Sequence, residues 1–317
     1  MRMIKHRSGI GDPADTDVEL LGRLPAVGGL LARAALAAYR RPDATTPLPD
    51  RQVKVSGVGQ DVSRLARYAR VCAFTLRDRV PATWLHVLTF PLQMHLMTAR
   101  DFPFAAVGMV HVANRMTQHR PVEVSEVLTL SVRADHVRPH RAGVMVDLIG
   151  QAMVGREVVW DGTSSYLVRG AEPPGDGASG AQAPPGQQAA AELPLVDPPR
   201  GSASPPVPST ALWRLPADLG RDYASVSGDV NPIHLNSLAA RAFGFPRAIA
   251  HGMWSHARML AALDGRLPGA YTVTVEFNKP VLLPSTVGFG VRPDGPGWRC
   301  ALTSRDGATA HLLGVVV

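Results

Sequence analysis

The sequence predicts an α+β protein built from two related halves, and three observations lead to this fold class. A segment rich in Pro, Gly and Ala, residues 171–208, separates two stretches that are each long enough to bury a core. The same order of a tyrosine-containing segment, an apolar helix and alternating strands recurs on both sides. Because the helix precedes the strands in each half, we expect a long helix packed against an antiparallel sheet.

The domain boundaries follow from the composition. At 317 residues, the chain is long enough for two domains. We predict a first repeat over residues 1–170, with a helical extension at 26–40, and a second repeat over residues 209–317. The segment 171–208 between them is predicted to be a linker, because it has too little apolar surface to offset the entropy lost on ordering.

Helices and strands are predicted from the spacing of apolar residues. The 3.6-residue spacing over 250–263 predicts a helix with one face on a sheet. Its counterpart is a helix over 84–98, which Pro91 should kink or cause to start late. Alternating polar and apolar positions with β-branched residues predict strands at 127–132, 143–148 and 271–277.

Charge and composition narrow the classes of partner. The formal charge is +7, but the arginines are scattered and form no stripe, so we expect no binding of nucleic acid. The positive charge suits an anionic acyl carrier, either coenzyme A or acyl carrier protein, or simply a solvated surface. Two distant cysteines, Cys72 and Cys300, and the lack of a long apolar run indicate a cytoplasmic protein without a membrane span.

Residues 223–240 contain the most informative pattern, in which Asp229 and His234 flank an Asn-Pro step at Asn231. The residue before a proline disfavours helix, so a turn should bring the carboxylate and the imidazole to one pocket. An acid and a base so placed can hold one water and add it to, or remove it from, an activated double bond. The spacing does not decide which group is the acid and which is the base.

A second segment, residues 249–253, opens the predicted helix of the second half and contains Gly252 and Met253. A helix N-terminus offers unpaired N–H groups and partial positive charge, and glycine allows close approach. We therefore expect a thioester oxygen to be polarised there, where fixed donors stabilise the negative charge that develops. The neighbouring His251 is interpreted as fixing the helix start or lining the pocket rim, outside the catalytic set.

The pattern from Tyr223 to Ala240 resembles the hydratase-2 signature of the MaoC-like dehydratases at every required position: aromatic, two free positions, apolar, Ser-Gly-Asp, one free position, Asn-Pro-Ile-His, five free positions, Ala. The layout of the whole chain is similar to the double hot-dog (R)-hydratases of that family. The resemblance implies a hot-dog fold in each half and reversible hydration of a trans-2-enoyl thioester to its (R)-3-hydroxyacyl form. It also implies a pseudo-dimer within one chain, with a homodimer as a further option.

The resemblance also assigns roles to individual residues. It implies catalysis by Asp229 and His234, a turn-supporting or water-orienting role for Asn231, and a backbone oxyanion position at Gly252. Ser227 and Tyr223 are expected to support the site, Ser227 as a hydrogen-bonding residue of the turn. No metal and no cofactor are expected, because hydration moves no electrons and the histidine spacings match no ordinary zinc pattern.

The first half departs from the signature. Phe74 stands where Asp229 stands in the second half, and no Asn-Pro-x-His follows, so we expect no catalysis there. Three residues are candidates for an acyl pocket between the halves, although a packed core explains them better: Phe74, Trp84 and Met253. Two other functions stay open, a non-catalytic thioester-binding subunit and a hot-dog thioesterase.

Overall fold

The computed structural model describes residues 17–30, 47–171 and 207–317. Most of the predicted linker and most of the predicted helix at 26–40 lie outside these residues. Among the helices in the described ranges, none combines the length and the apolar character needed to cross a bilayer.

The strands of the described residues form a single sheet. The bounds are β1 (Asp17–Leu21), β2 (Arg51–Val58), β3 (Met109–Gln118), β4 (Leu128–His140), β5 (Gly143–Val154), β6 (Glu157–Arg169), β7 (Ala211–Leu215), β8 (Tyr271–Phe277), β9 (Ser285–Asp294), β10 (Gly297–Ser304) and β11 (Ala310–Val316). The strand order is β1-β2-β4-β5-β6-β3-β8-β11-β10-β9-β7. All neighbours pair antiparallel except β1 and β2.

The helices lie between the early and the late strands of each half. In chain order they are α1 (Val62–Cys72), α2 (Ala82–Met97), α3 (Leu219–Ser227), α4 (Pro232–Leu235), α5 (Ser237–Ala242) and α6 (Gly252–Ala262). Helix α2 packs on β4 and β5, and α6 packs on β10 and β11. Each half is therefore a helix wrapped by an antiparallel sheet, and the expected α+β double hot-dog fold is confirmed.

Strands β3 and β8 join the two halves at the centre of the sheet. Their backbones pair antiparallel from Ala113 opposite Glu276 to Gln118 opposite Tyr271. On either side of this pair the order repeats, with β6, β5, β4 and β2 mirrored by β11, β10, β9 and β7. The apolar side chains of both halves form one core cluster.

Helices α1 and α3 are equivalent in the two repeats, and both end in a left-handed residue. Ala73 ends α1 with a φ of 58°, and Gly228 ends α3 with a φ of 83°. Phe74 and Asp229 each follow directly, as the sequence alignment of the halves predicted. The rings of Tyr68 and Tyr223 lie 6.2 Å apart where the two helices meet.

In helix α2, tertiary packing outweighs the local tendency of a proline to interrupt a helix. The helix runs through Pro91 from Ala82 to Met97, so the expectation that it starts late at this proline is wrong. Nearly all of its side chains are buried. An internal proline costs about 3 kcal/mol, whereas each large apolar side chain that the helix buries contributes about 1.5–3 kcal/mol.

Candidate active site

The turn after α3 places Asp229. Gly228 adopts the left-handed backbone that glycine takes without strain, and its N–H bonds the carbonyl of Ala224 at 2.9 Å. The N–H of Asp229 donates to Oγ of Ser227 at 3.1 Å. Oδ1 of Asp229 in turn accepts from the N–H of Asn231 at 3.2 Å. These short-range bonds hold the carboxylate close to its own backbone.

A single helical turn, α4, carries His234. Asn231 is its N-cap, with a non-helical backbone and a side chain that accepts from the N–H of Ile233 at 3.4 Å. Pro232 occupies the first helical turn, where no intrahelical N–H bond is lost. Gly228 thus ends α3 and the Asn-Pro step starts α4, which turns His234 back towards Asp229.

His234 is buried, with 9% of its surface exposed. Its Nδ1 lies 2.8 Å from the carbonyl oxygen of Ile249. Because a carbonyl only accepts hydrogen bonds, Nδ1 carries the hydrogen and Nε2 keeps its lone pair. Burial lowers the pKa of His234 below its ordinary value, against the opposing effects of Asp229 and the bond to Ile249. The imidazole is therefore a neutral base with one nitrogen free.

His251 lies against His234 in the same site. The two rings stack with centroids 3.7 Å apart, and Nε2 of His251 donates to the carbonyl oxygen of Asp229 at 2.9 Å. Burial, together with the neighbouring His234, lowers the pKa of His251 to about 3. Although His251 is the N-cap residue of α6, its side chain makes no capping bond, and its ring is buried beneath the site. His251 therefore contacts both parts of the site: it hydrogen-bonds the backbone of Asp229 and stacks on the ring of His234.

Asp229, His234 and His251 converge. One carboxylate oxygen and one nitrogen from each imidazole all lie within 4.8 Å of one another. The Asp229 side chain is about one-third exposed, so solvent reaches it. A divalent cation can use such a set, but the ring nitrogens that donate to Ile249 and Asp229 carry hydrogen and cannot be ligands. One water bridging the carboxylate and the free nitrogen of His234 fits the same geometry.

Gly252 begins α6 beside this group. The first N–H groups of a helix have no intrahelical partner, and they carry the positive end of the helix dipole. A Cβ at this position would lie only 3.0 Å from the ring of Phe277, so a larger residue would push on the sheet. The helix start is therefore able to offer backbone donors to an oxygen.

The remaining predicted residues lie in the core around the site. The ring of Tyr223 is 4.9 Å from that of His251. Trp84 is fully buried and donates from Nε1 to Gln60 at 2.7 Å. Phe74 and Met253 are packed against the same apolar core. A role in acyl binding for Phe74, Trp84 and Met253 stays a prediction.

Arg64 of the first half supports the site from a distance. Its Nε donates to the carbonyl of Val226 at 2.7 Å, and a terminal nitrogen reaches the carbonyl of Ser227 at 3.1 Å. These are the last carbonyls of α3, which have no partner within the helix. The sequence reasoning missed Arg64, and no local pattern marks a residue 162 positions from its partner.

Comparison with known proteins gives a consistent picture. A family profile described as MaoC like domain matches residues 202–296. The chain is 38% identical over 286 residues to 3-hydroxyacyl-thioester dehydratase X of Mycobacterium tuberculosis, covering 90% of this chain and 96% of that protein. It is 39% identical over 69 residues to an (R)-specific enoyl-CoA hydratase of Rhodospirillum rubrum, covering 20% of this chain and 48% of that protein.

Solved structures share the fold. A crystal structure of HtdX from Mycobacterium tuberculosis superposes with a TM-score of 0.69 at 36% identity, covering 84% of this chain and 99% of that one. A MaoC-like dehydratase from Phytophthora capsici gives a TM-score of 0.66 at 16% identity, covering 88% and 97% of the two chains. The alignment with 3-hydroxyacyl-thioester dehydratase X spans nearly the whole of both proteins. The expected family is therefore confirmed, and the chain belongs to the MaoC-like dehydratases.

Proposed function

We propose that the protein catalyses the reversible hydration of a trans-2-enoyl thioester to the (R)-3-hydroxyacyl thioester. The observation that carries the proposal is the convergence of Asp229 with a buried, neutral His234 whose Nε2 is free. The names of the relatives, a hydroxyacyl-thioester dehydratase and an enoyl-CoA hydratase, support the same reaction. The (R) configuration follows from the latter name and from the resemblance in the signature.

In the hydration direction, one water bridges Asp229 and His234. Nε2 of His234 accepts a proton from the water as its oxygen bonds to the β-carbon of the enoyl group. The electron pair of the double bond moves towards the thioester oxygen. The imidazolium then returns the proton to the α-carbon, so one water is added in total. Asp229 orients the water and stabilises the transient positive charge on His234.

The thioester oxygen is placed at the start of α6. Negative charge grows on this oxygen when the α-carbon is protonated or deprotonated. The backbone N–H of Gly252 and the dipole of α6 stabilise that charge in the transition state more than in the ground state. The acyl carrier, coenzyme A or acyl carrier protein, and a cytoplasmic location stay predictions.

The test is turnover of 2-enoyl-CoA substrates by two variants of the catalytic pair. We expect Asp229→Asn and His234→Ala each to lower kcat/KM for hydration by about a hundredfold or more, because each removes a group that handles the water. Circular dichroism should show an unchanged fold. Asp50→Asn and His140→Ala, on the surface of the first half, are the matched controls and should retain activity.

Product analysis separates the alternatives. A hydroxyacyl thioester of (R) configuration supports the proposal. Free acid with released thiol would indicate a thioesterase, and no turnover with any enoyl thioester would indicate a binding subunit. A loss of less than tenfold in both catalytic variants would contradict the roles given to Asp229 and His234.

A further inference from the structure

A second group of polar side chains, here called the polar cluster, lies between the two repeats, with four of its members buried and His111 half-buried. Its members are His86 and Gln93 on α2, His111 on β3, Tyr166 on β6 and His256 on α6. The ring of His111 stacks on Tyr166 at 4.7 Å and on His86 at 6.0 Å. The hydroxyl of Tyr166 donates to Oε1 of Gln93 at 3.3 Å. Four of the five side chains come from the half that lacks the catalytic motif.

The polar cluster borders the catalytic site. The ring of Phe277, which lies against Gly252, also packs edge-on against His111 at 5.2 Å. His256 is one turn after Gly252 and so lies on the same face of α6. Burial lowers the pKa of His86 to about 4, and the nearby carboxylate of Asp229 partly opposes this effect. The cluster and the catalytic pair therefore share one interior region.

The polar cluster has unused hydrogen-bonding capacity. Among the described residues, nothing pairs with Nε2 of His111 or with either ring nitrogen of His256, and all three atoms are buried. Leaving such groups unpaired is unfavourable, so a buried polar atom without a protein partner usually pairs with an ordered water or a ligand. Each neutral imidazole offers one donor and one acceptor. Burial keeps His111 and His256 neutral by lowering the pKa of each ring.

We infer that the polar cluster binds an uncharged oxygen group, a hydroxyl or keto group, carried by the acyl chain of the thioester substrate beyond the reacting carbons. This inference rests on the proposed function. The cluster contains no lysine or arginine, so it does not suit an anion. Its side chains lie between the repeats and are mostly buried, whereas the carrier must remain attached at the surface. One oxygen group can pair with a nitrogen of His111 and a nitrogen of His256, whereas an acyl chain without a polar group can pair with neither, and such a difference is the usual basis of discrimination between substrates.

The experiment compares hydration of trans-2-decenoyl-CoA with analogues that carry one hydroxyl farther along the chain. For the unaltered protein, we expect one hydroxyl position to raise kcat/KM about tenfold. Tyr166→Phe, which removes one oxygen and keeps the ring, and His256→Leu should each bring this ratio back towards one. Tyr271→Phe is the matched control, because Tyr271 is a buried tyrosine at the far end of β8 from Phe277.

Several results would overturn the inference while leaving the proposed function intact. One is hydration of the plain substrate with no gain at any hydroxyl position. Another is a ratio that Tyr166→Phe and His256→Leu leave unchanged, which would mean a purely structural cluster. The same acyl chains made as ethanethiol esters lack the amides of the carrier. They test whether the polar cluster contacts the acyl chain or the carrier. If the effect of the variants disappears with them, the cluster binds the carrier and not the acyl chain. No hydration of any thioester would instead contradict the proposed function.

Discussion

At the scale of single residues, two buried histidines set the properties of the candidate site. His234 keeps a free nitrogen because its other nitrogen donates to a backbone carbonyl. His251 stacks on it and donates to the backbone of Asp229. Desolvation keeps both rings neutral at ordinary pH. A neutral base with a fixed hydrogen is what proton transfer to and from water requires.

The same histidines predict how stability depends on pH. Burial lowers the pKa of each of the buried rings below 6.5 in the folded protein: His86, His111, His234, His251 and His256. The unfolded chain therefore binds more protons once the pH falls below 6.5, and stability decreases in that direction. Each ring contributes about 1.4 kcal/mol per pH unit below 6.5, down to its folded pKa. We expect Tm to fall clearly between pH 7 and pH 5.

Thermal unfolding followed by circular dichroism checks this pH dependence. Burial raises the pKa of the carboxyls of Glu276 and Asp147, which opposes this trend, but five histidines act in the destabilising direction. His256→Leu removes one of the buried rings and should show a smaller decrease in Tm over this range. A Tm that is the same at both pH values would contradict the neutral state of the buried histidines.

At the scale of elements, helices α1 and α3 together position the turn that contains Asp229. The two helices are equivalent in the repeats, and each ends in a left-handed residue. Arg64 of α1 binds the terminal carbonyls of α3 just before Gly228. A helix of the first half thus fixes the direction in which the chain leaves α3 towards Asp229.

We predict that Arg64→Leu lowers kcat for hydration about tenfold, because a small displacement of Asp229 misaligns the bridging water. It should also reduce the free energy of unfolding by about 1–3 kcal/mol, since two carbonyls lose a charged donor. Steady-state kinetics and urea denaturation measure the two effects. Arg67→Leu, an exposed arginine on the same helix, is the control and should change neither. If both variants had the same activity, the predicted role of Arg64 in positioning Asp229 would be contradicted.

At the scale of the whole molecule, the two repeats act as one unit. Backbone pairing of β3 with β8 makes a continuous sheet, and Trp254 of the second half donates to the carbonyl of Val71 in the first at 3.0 Å. The aromatic contact between Tyr68 and Tyr223 lies in the same interface. The two repeats therefore pack together as one unit within a single chain.

This arrangement predicts that the covalent connection between the repeats is dispensable once the protein has folded. A protease site inserted within residues 171–208 and then cut should leave the two pieces associated on size-exclusion chromatography. Hydration activity should stay within about twofold, because the buried contacts between the halves are unchanged. Separation of the pieces, or loss of activity on cutting, would contradict the predicted linker and the independence of the interface from it.

The sequence by itself determined the features that depend on neighbouring residues. The helix at α6, the strand at β8 and the turn between Asp229 and His234 all follow from local spacing and from the Asn-Pro step. The motif at residues 223–240 also indicated the family. These predictions succeed because backbone preferences and short-range hydrogen bonds act over a few residues.

Only the tertiary structure decided which distant groups meet. Arg64 reaches α3 from 162 residues away, and the polar cluster takes His111 and Tyr166 from the half without a motif. Packing also keeps α2 helical on both sides of Pro91, although a proline locally disfavours a helix interior. The position of His251 against His234 likewise depends on how the segment before α6 lies against α4, where the N–H of Ile249 donates to the carbonyl of Ile233. Such contacts arise when whole elements bury their apolar faces together, and no local pattern records them.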